Sequence, residues 1–365
     1  MNVRRTSGRL PGPPPPPDTM NNFSRTLQSH HCARALAIAT AAVFALGGPV
    51  RAQDPAIDLD HGCIGWEPGS QFAHPQGIFF DTVRGECYVA DTGNHQVVVC
   101  DENGIPRYRF THYVPANGAM VPGEPKCIAV DQEGTIYLVD DASEDLAVLD
   151  PTGRLIETIV PPMDDCGMAE SFEYVALGPD GVYASLSCPK RRVVVIGADL
   201  EISRVIQLAW KDPSERACIT GIAIDSQGGI YVTDACASEM VQMYDANGGL
   251  FRAFGSHETG LENFSFASGI ALAGDGNMWI VDTLRHVVSL FTPEGTRLAT
   301  LGGKGLEPGA MQYPTSVATD GADRVFITER AGNRYQCFRV EGEVPGGELR
   351  NQDQLGMLLE EVGND

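Results

Sequence analysis

Three kinds of side chain in this sequence could do chemistry: paired histidines, recurrent carboxylates and spaced cysteines. His95 closes the stretch Asp91-Thr-Gly-Asn-His, and His286 closes Asp282-Thr-Leu-Arg-His. An imidazole at such a corner could hold a metal, move a proton or touch a partner. Asp91, Asp140, Asp234, Asp282 and Glu329 recur at similar places and at first sight suggest a cation site. Each also sits where a carboxylate caps the N–H groups of its own turn, which is the favoured reading. Asp140, Asp141, Glu144 and Asp145 form the densest acidic loop. It lacks the alternating oxygen ligands of a calcium loop and reads as a solvated face. Cys218 and Cys236 lie symmetrically about the turn 226–229, so they face each other across two antiparallel strands and predict a disulfide. Cys87 and Cys100 mirror each other about Gly93-Asn94 and are either bonded or buried side by side. No phosphate-cradling glycine loop and no nucleophile elbow is present, and no cysteine is set beside a histidine by local sequence.

The elements that position these groups follow from a repeat. Apolar runs recur as GIFFD, CIAVD, YVALG, GIAID, GIALA and SVATD, with second residues Ile78, Ile128, Val175, Ile222, Ile270 and Val317. A second run carries an aromatic at a fixed place: Tyr88, Tyr137, Tyr183, Tyr231, Trp279 and Phe326. Each unit reads as four short strands punctuated by Gly, Asp and Asn turns, and four strands per period of roughly 40–50 residues is the signature of a β-propeller. The third residue of the innermost run is small in five copies (Ala129, Ala176, Ala223, Ala271 and Ala318) because inner strands converge on the axis; Phe79 is the exception. The sixth unit lacks a fourth strand after Val340, so Ala56–Asp60 is expected to complete it and hide its edge. The fold class is therefore all-β, a six-bladed propeller with four-stranded blades, closed by an N-terminal strand. In this frame Cys188 takes the place in blade 3 that Cys236 takes in blade 4, and Cys166 is its expected partner; Cys63, Cys127 and Cys337 are left over.

The stretch YVADTGNHQVVV, preceded by P-x-G-I, resembles the NHL repeat, and the resemblance covers roughly residues 57–340. It implies a six-bladed propeller of NHL type but no single function, since such propellers serve as binding modules, sensor ectodomains and enzymes. Blade 4, CITGIAIDSQGGIYVTDAC, also resembles a disulfide-closed blade of the peptidyl-α-hydroxyglycine α-amidating lyases. That resemblance implies zinc-binding histidines just ahead of inner strands, where this chain has Gln76, Lys126, Glu173, Thr220, Ser268 and Thr315. It implies a catalytic tyrosine where Ala235 stands, and only the arginine of that site has a counterpart, Arg330. Metal activation needs the ligands themselves, so the resemblance argues against that chemistry here.

In a propeller the loops leading into the inner strands share a face with the second-to-third-strand loops, and that face carries the central opening. Lys126 and Glu173 are the charges among the lead-in residues, and His95, Arg285, His286, Arg330 and Arg334 are the rim residues expected to meet a ligand. This is a mixed polar rim without a recognisable catalytic set. No resident cofactor is implied, and a divalent metal in the opening stays open. The reading favours a binding or scaffold module for a protein, peptide or glycan; the alternative is a propeller enzyme of lyase or lactonase type.

Length and charge bound the rest. The chain has 365 residues, 26 Lys and Arg against 48 Asp and Glu, and a net charge of −22. Nucleic-acid binding needs a basic face and is disfavoured. Residues 1–52 read as an N-terminal extension and secretory signal: Arg25 and Arg34, then an apolar run over 35–48 too short to span a bilayer well, then Val50-Arg51-Ala52 ahead of Gln53. An uncleaved anchor is the alternative. The run Pro13–Pro17 sits oddly before a signal, which points to Met20 as the start. The propeller is expected over 53–344 and a tail over 345–365. No later segment is apolar enough to span a membrane, so a secreted or periplasmic location is expected.

Overall fold

The computed structural model describes residues 56–341, apart from positions 68, 164–166, 168, 188–190, 210, 213–215 and 275. The expected N-terminal segment, the tail and the Cys166–Cys188 pair lie outside the described residues.

Six four-stranded antiparallel sheets form the blades of a propeller. In blade 1 the inner strand Ile78–Asp81 pairs with Glu86–Asp91, then Gln96–Asp101, then the outer strand Pro106–Phe110. Blades 2 to 5 repeat this order from inner strands Pro125–Val130, Phe172–Gly178, Ile219–Ile224 and Ala267–Leu272. Blade 6 contributes Pro314–Thr319, Arg324–Glu329 and Arg334–Glu341, and its outer strand is Ala56–Cys63 from the other end of the described chain. That strand runs past the expected Asp60 because a bulge between Leu59 and His61 restores register as far as Cys63, opposite Tyr335.

The burial of each strand explains its composition. Third strands such as Gln96–Asp101 are covered on both faces by neighbouring blades, so Val97, Val98 and Val99 read as a continuous apolar run rather than an alternation. Outer strands such as Pro106–Phe110 are wet on one side and alternate. The six hydrophobic clusters contain one second-strand aromatic each, at one interface between successive blades. Trp279 of blade 5, for example, packs with Val317, Val325 and Phe338 of blade 6.

Two short hairpins lie in lead-in loops, Gly65–Glu67 with Ser70–Gln71 and Tyr113–Ala116 with Ala119–Pro122. The second turns at Asn117-Gly118, both at positive φ, the dipeptide favoured by a type I′ turn. Among the described residues the helical content is one short turn, Thr92–Asn94, and no helix is long and apolar enough to cross a membrane.

Candidate functional site: the central opening

The residues at the mouth of the opening are aimed there by a repeated irregularity. In blades 2 to 6 the pairing of inner and second strands slips just after the inner strand begins. The residues left out of register are Lys126, Glu173, Thr220, Ser268 with Gly269, and Thr315. A bulge leaves its extra residue unpaired and re-aims the side chain. These are the lead-in positions that the sequence singles out, and the slip explains why they leave the sheet.

The opening is a cavity of about 680 Å³ lined by inner strands of all six blades. Its walls are apolar, with Ile78, Phe79, Val175, Ile222, Ile270 and Val317 among them. Phe79, the one bulky residue at the third inner position, faces this space. Gly77 has no room for a side chain, because a Cβ there would lie 2.2 Å from the Lys126 carbonyl oxygen of the next blade.

The mouth is polar but largely self-satisfied. Lys126 Nζ donates to Glu173 Oε2 at 2.6 Å, lies 3.2 Å from Asp141 Oδ1 and sits 4.8 Å above the Tyr174 ring. Burial pulls its ammonium pKa down, but Tyr174, Glu173 and Asp141 outweigh that and hold it above its usual range. Lys126 is thus a fixed cation rather than a base. Burial also pushes the Tyr174 phenol up to about 12 against the pull of Lys126. Gln76 Nε2 donates to Asp141 Oδ2 at 3.1 Å. The Thr220 and Thr315 hydroxyls donate to the Ala267 and Gln76 carbonyls of the next blade, at 2.7 and 2.9 Å. Glu173 borders a second pocket of about 240 Å³ with Asp140, Asp141 and Glu144.

The ring of carboxylates staples each second strand to its own lead-in loop. Asp91 accepts from Ala73 N at 2.7 Å, Asp140 from Glu124 N at 2.7 Å and Asp234 from Cys218 N at 3.0 Å. Asp282 accepts from Ser265 N at 2.8 Å and Glu329 from Gln312 N at 2.7 Å. Each of these carboxylates is buried and engaged with backbone.

His95 and His286 latch one blade to the next. Both are left-handed, at φ 55° and 61°, and Asn333 takes the same place in blade 6 at 50°. His95 Nδ1 lies 2.8 Å from the Gly123 carbonyl oxygen, Tyr313 N donates to His286 Nδ1 at 3.0 Å, and His74 N donates to Asn333 Oδ1 at 2.9 Å. Burial and Lys304 hold the His286 pKa below its ordinary value, partly offset by Asp282. Two rim arginines are similarly engaged. Arg285 donates to the carbonyls of Glu258, Gly260 and Asn263, and Arg334 binds Glu329 and the carbonyls of Leu306 and Ala310.

Arg330 differs. It is exposed, lines the cavity, and its guanidinium has no hydrogen-bond or ion-pair partner among the described residues. The imidazole of His74 is likewise exposed on the cavity and unpartnered. His74 and Tyr313 were not singled out in the sequence. Each precedes a proline, at φ 50° and 51°, and the left-handed backbone turns the side chain to the mouth. Aligning His74-Pro75-Gln76 with Tyr313-Pro314-Thr315 is the signal that would have found them.

Cys218 and Cys236 are disulfide-bonded, with Cα atoms 5.3 Å apart. The Asp234 carboxylate accepts from both of their N–H groups, at 3.0 and 2.9 Å. Cys63, Cys87, Cys100, Cys127 and Cys337 are free. Among the described residues the metal-ligand types converge at Asp60, His61 and Cys337, on the outer strands of blade 6 and away from the opening. The Asp60 carboxylate there is already engaged by His61 at 3.2 Å and Arg339 at 3.7 Å.

No family model matches the chain and no curated protein matches it. Solved structures with a similar fold include a catalytically inactive virginiamycin B lyase from Staphylococcus aureus with quinupristin, at 11% identity and TM-score 0.50, covering 73% of this chain and 80% of that one. A streptogramin B lyase is similar at 14% identity and TM-score 0.51, covering 74% and 94%. A protein of unknown function from Bacteroides thetaiotaomicron is similar at 16% identity and TM-score 0.56, covering 79% and 76%. Likeness at these identities extends to the propeller fold.

Proposed function

We propose that this protein is an extracytoplasmic binding module of NHL type that takes a protein, peptide or glycan segment into its central opening. The observation that carries the reading is Arg330, a guanidinium without a partner among the described residues, at the mouth of an apolar cavity of about 680 Å³. An apolar pocket with a few convergent polar groups is the ordinary form of a ligand site, and an unpaired arginine suits a carboxylate or another planar anion. The preferred ligand is therefore a segment with an apolar body and an anionic end, such as a peptide with a hydrophobic C-terminus. The disulfide Cys218–Cys236 supports an oxidising compartment. Calorimetric titration with short hydrophobic peptides, with free and with amidated C-termini, tests the reading. Saturable binding of the free acids, weakened at least tenfold by Arg330→Ala, is the expected result. Binding unchanged by Arg330→Ala and by Ala271→Trp, which fills the cavity, would sink it.

An enzyme of lyase type is the second reading. It rests on the unpartnered imidazole of His74 at the same mouth, a group that could move a proton beside an anion held by Arg330. The similar folds include lyases acting on streptogramins, so mass-spectrometric analysis of quinupristin incubated with the protein separates the two readings. Turnover lost in His74→Ala would favour catalysis; intact quinupristin leaves binding as the better account.

A further inference from the structure

The interface between blade 6 and blade 1, where the ring closes, differs in chemistry from the other five. Four free cysteines share its core: Cys63 and Cys337 from blade 6, Cys87 and Cys100 from blade 1. Register explains the gathering. Cys63 lies opposite Tyr335 and His61 opposite Cys337, which puts Cys63 and Cys337 on one face of blade 6. Cys87 lies opposite Cys100 on the facing blade. Across the seam, Cys63 Sγ is 4.0 Å from Cys100 Sγ. Both side chains are buried. Contact with Cys100 lowers the Cys63 thiol pKa below its ordinary value, which makes Cys63 the readier thiolate. The same chain carries the disulfide Cys218–Cys236, a bond characteristic of oxidising compartments.

We propose that Cys63 and Cys100 form a second disulfide that pins the closing strand Ala56–Cys63 to blade 1. The oxidant is a disulfide, either of a thiol–disulfide oxidoreductase or of low molecular weight such as oxidised glutathione. The Cys63 thiolate attacks one sulfur of that oxidant and expels the first thiol, leaving a mixed disulfide on Cys63. Cys100 gives up its proton, attacks the Cys63 sulfur and expels the second thiol. Two protein thiols are oxidised, one oxidant disulfide is reduced to two thiols, and the two protons go to them. Bond formation needs the sulfurs to close to about 2.05 Å. The closing strand can supply that movement, since it is outermost, has one pairing partner and is bulged at Asp60. Cys87 and Cys100 sit on strands already paired within blade 1, so a bond there would add no link across the seam.

Protease cleavage before aspartate puts Cys63, Cys87 and Cys100 on separate peptides, because Asp60, Asp81, Asp91 and Asp101 bound them. The full chain is alkylated under denaturing conditions without reduction, cleaved in this way and mapped by mass spectrometry. A linked pair of peptides carrying Cys63 and Cys100 is expected. Alkylated Cys63 or Cys100, or a Cys87–Cys100 link, would overturn the proposal. A thermal-shift cycle gives an independent reading. Cys63→Ser, Cys100→Ser and the double variant should lose the same melting temperature in the oxidised protein, since one bond is lost in each. Additive losses would show two separate packing sites and overturn it.

Discussion

At the residue scale, what matters about each polar side chain is which partner it already has. Arg285, Arg330 and Arg334 are the same residue type on the same face. Two of them hold backbone carbonyls, and Arg330 has no side-chain partner among the described residues. His286 offers a direct test of the latch. Its Nδ1 accepts from Tyr313 N, so a proton on that nitrogen would break the contact. Burial and Lys304 keep its folded pKa below the ordinary value of about 6.5. Below that pH the unfolded chain binds the extra proton more readily than the folded one. The contribution to stability is therefore fully present above about pH 6.5 and is lost as pH falls through the folded value. Urea midpoints measured from about pH 7 to about pH 5 should fall less steeply for His286→Asn than for the wild type, since Asn333 shows that an amide serves the same corner. Equal slopes would show that the imidazole does not titrate against Tyr313. This level was the least legible in the sequence. Residue type marks His95, His286 and the arginines as interesting, but whether a side chain is latched inward or free depends on loop backbones that no period predicts. His74 and Tyr313 reach the mouth through left-handed φ values, a local choice hidden from composition.

At the scale of the element, legibility was high where geometry repeats. The apolar second residues of the inner runs and the aromatics of the second strands kept one period, and every one of those aromatics lies in an interface between blades. The Cys218–Cys236 bond was legible because a symmetric spacing about a hairpin turn dictates a cross-strand contact. The hairpin Tyr113–Ala116 with Ala119–Pro122 was missed although Asn117-Gly118 carried its signal, because it interrupts the repeat instead of belonging to it. The closing strand sets a prediction here. Removing residues 56–63 leaves the strand Arg334–Glu341 with an unpaired edge, which is a template for association. Light scattering of the truncated chain should show self-association and an earlier thermal transition. A monomer that melts like the full chain would show that the edge is protected in some other way.

At the scale of the whole molecule, six blades in a closed ring share six interfaces, so no blade has a free flank. An open repeat array can lose its ends first, but a ring has no ends to fray. Trp279→Ala removes the aromatic between blades 5 and 6 and should cost about 3–5 kcal/mol. The loss should appear as one cooperative transition at lower denaturant, monitored by fluorescence and far-ultraviolet dichroism together. Two separated transitions would show that the blades melt independently.

The pairing of Ala56 with Glu341 joins the two ends of the described chain. Time enters here, because contacts between residues so distant in sequence are slow to find. Blades 1 to 5 can each assemble from neighbouring hairpins as they emerge, while the strand that would complete blade 6 waits unpaired at the opposite end. Within the propeller, the strand made before blade 1 is thus the one that completes blade 6, and a contact spanning that much sequence favours slow ring closure.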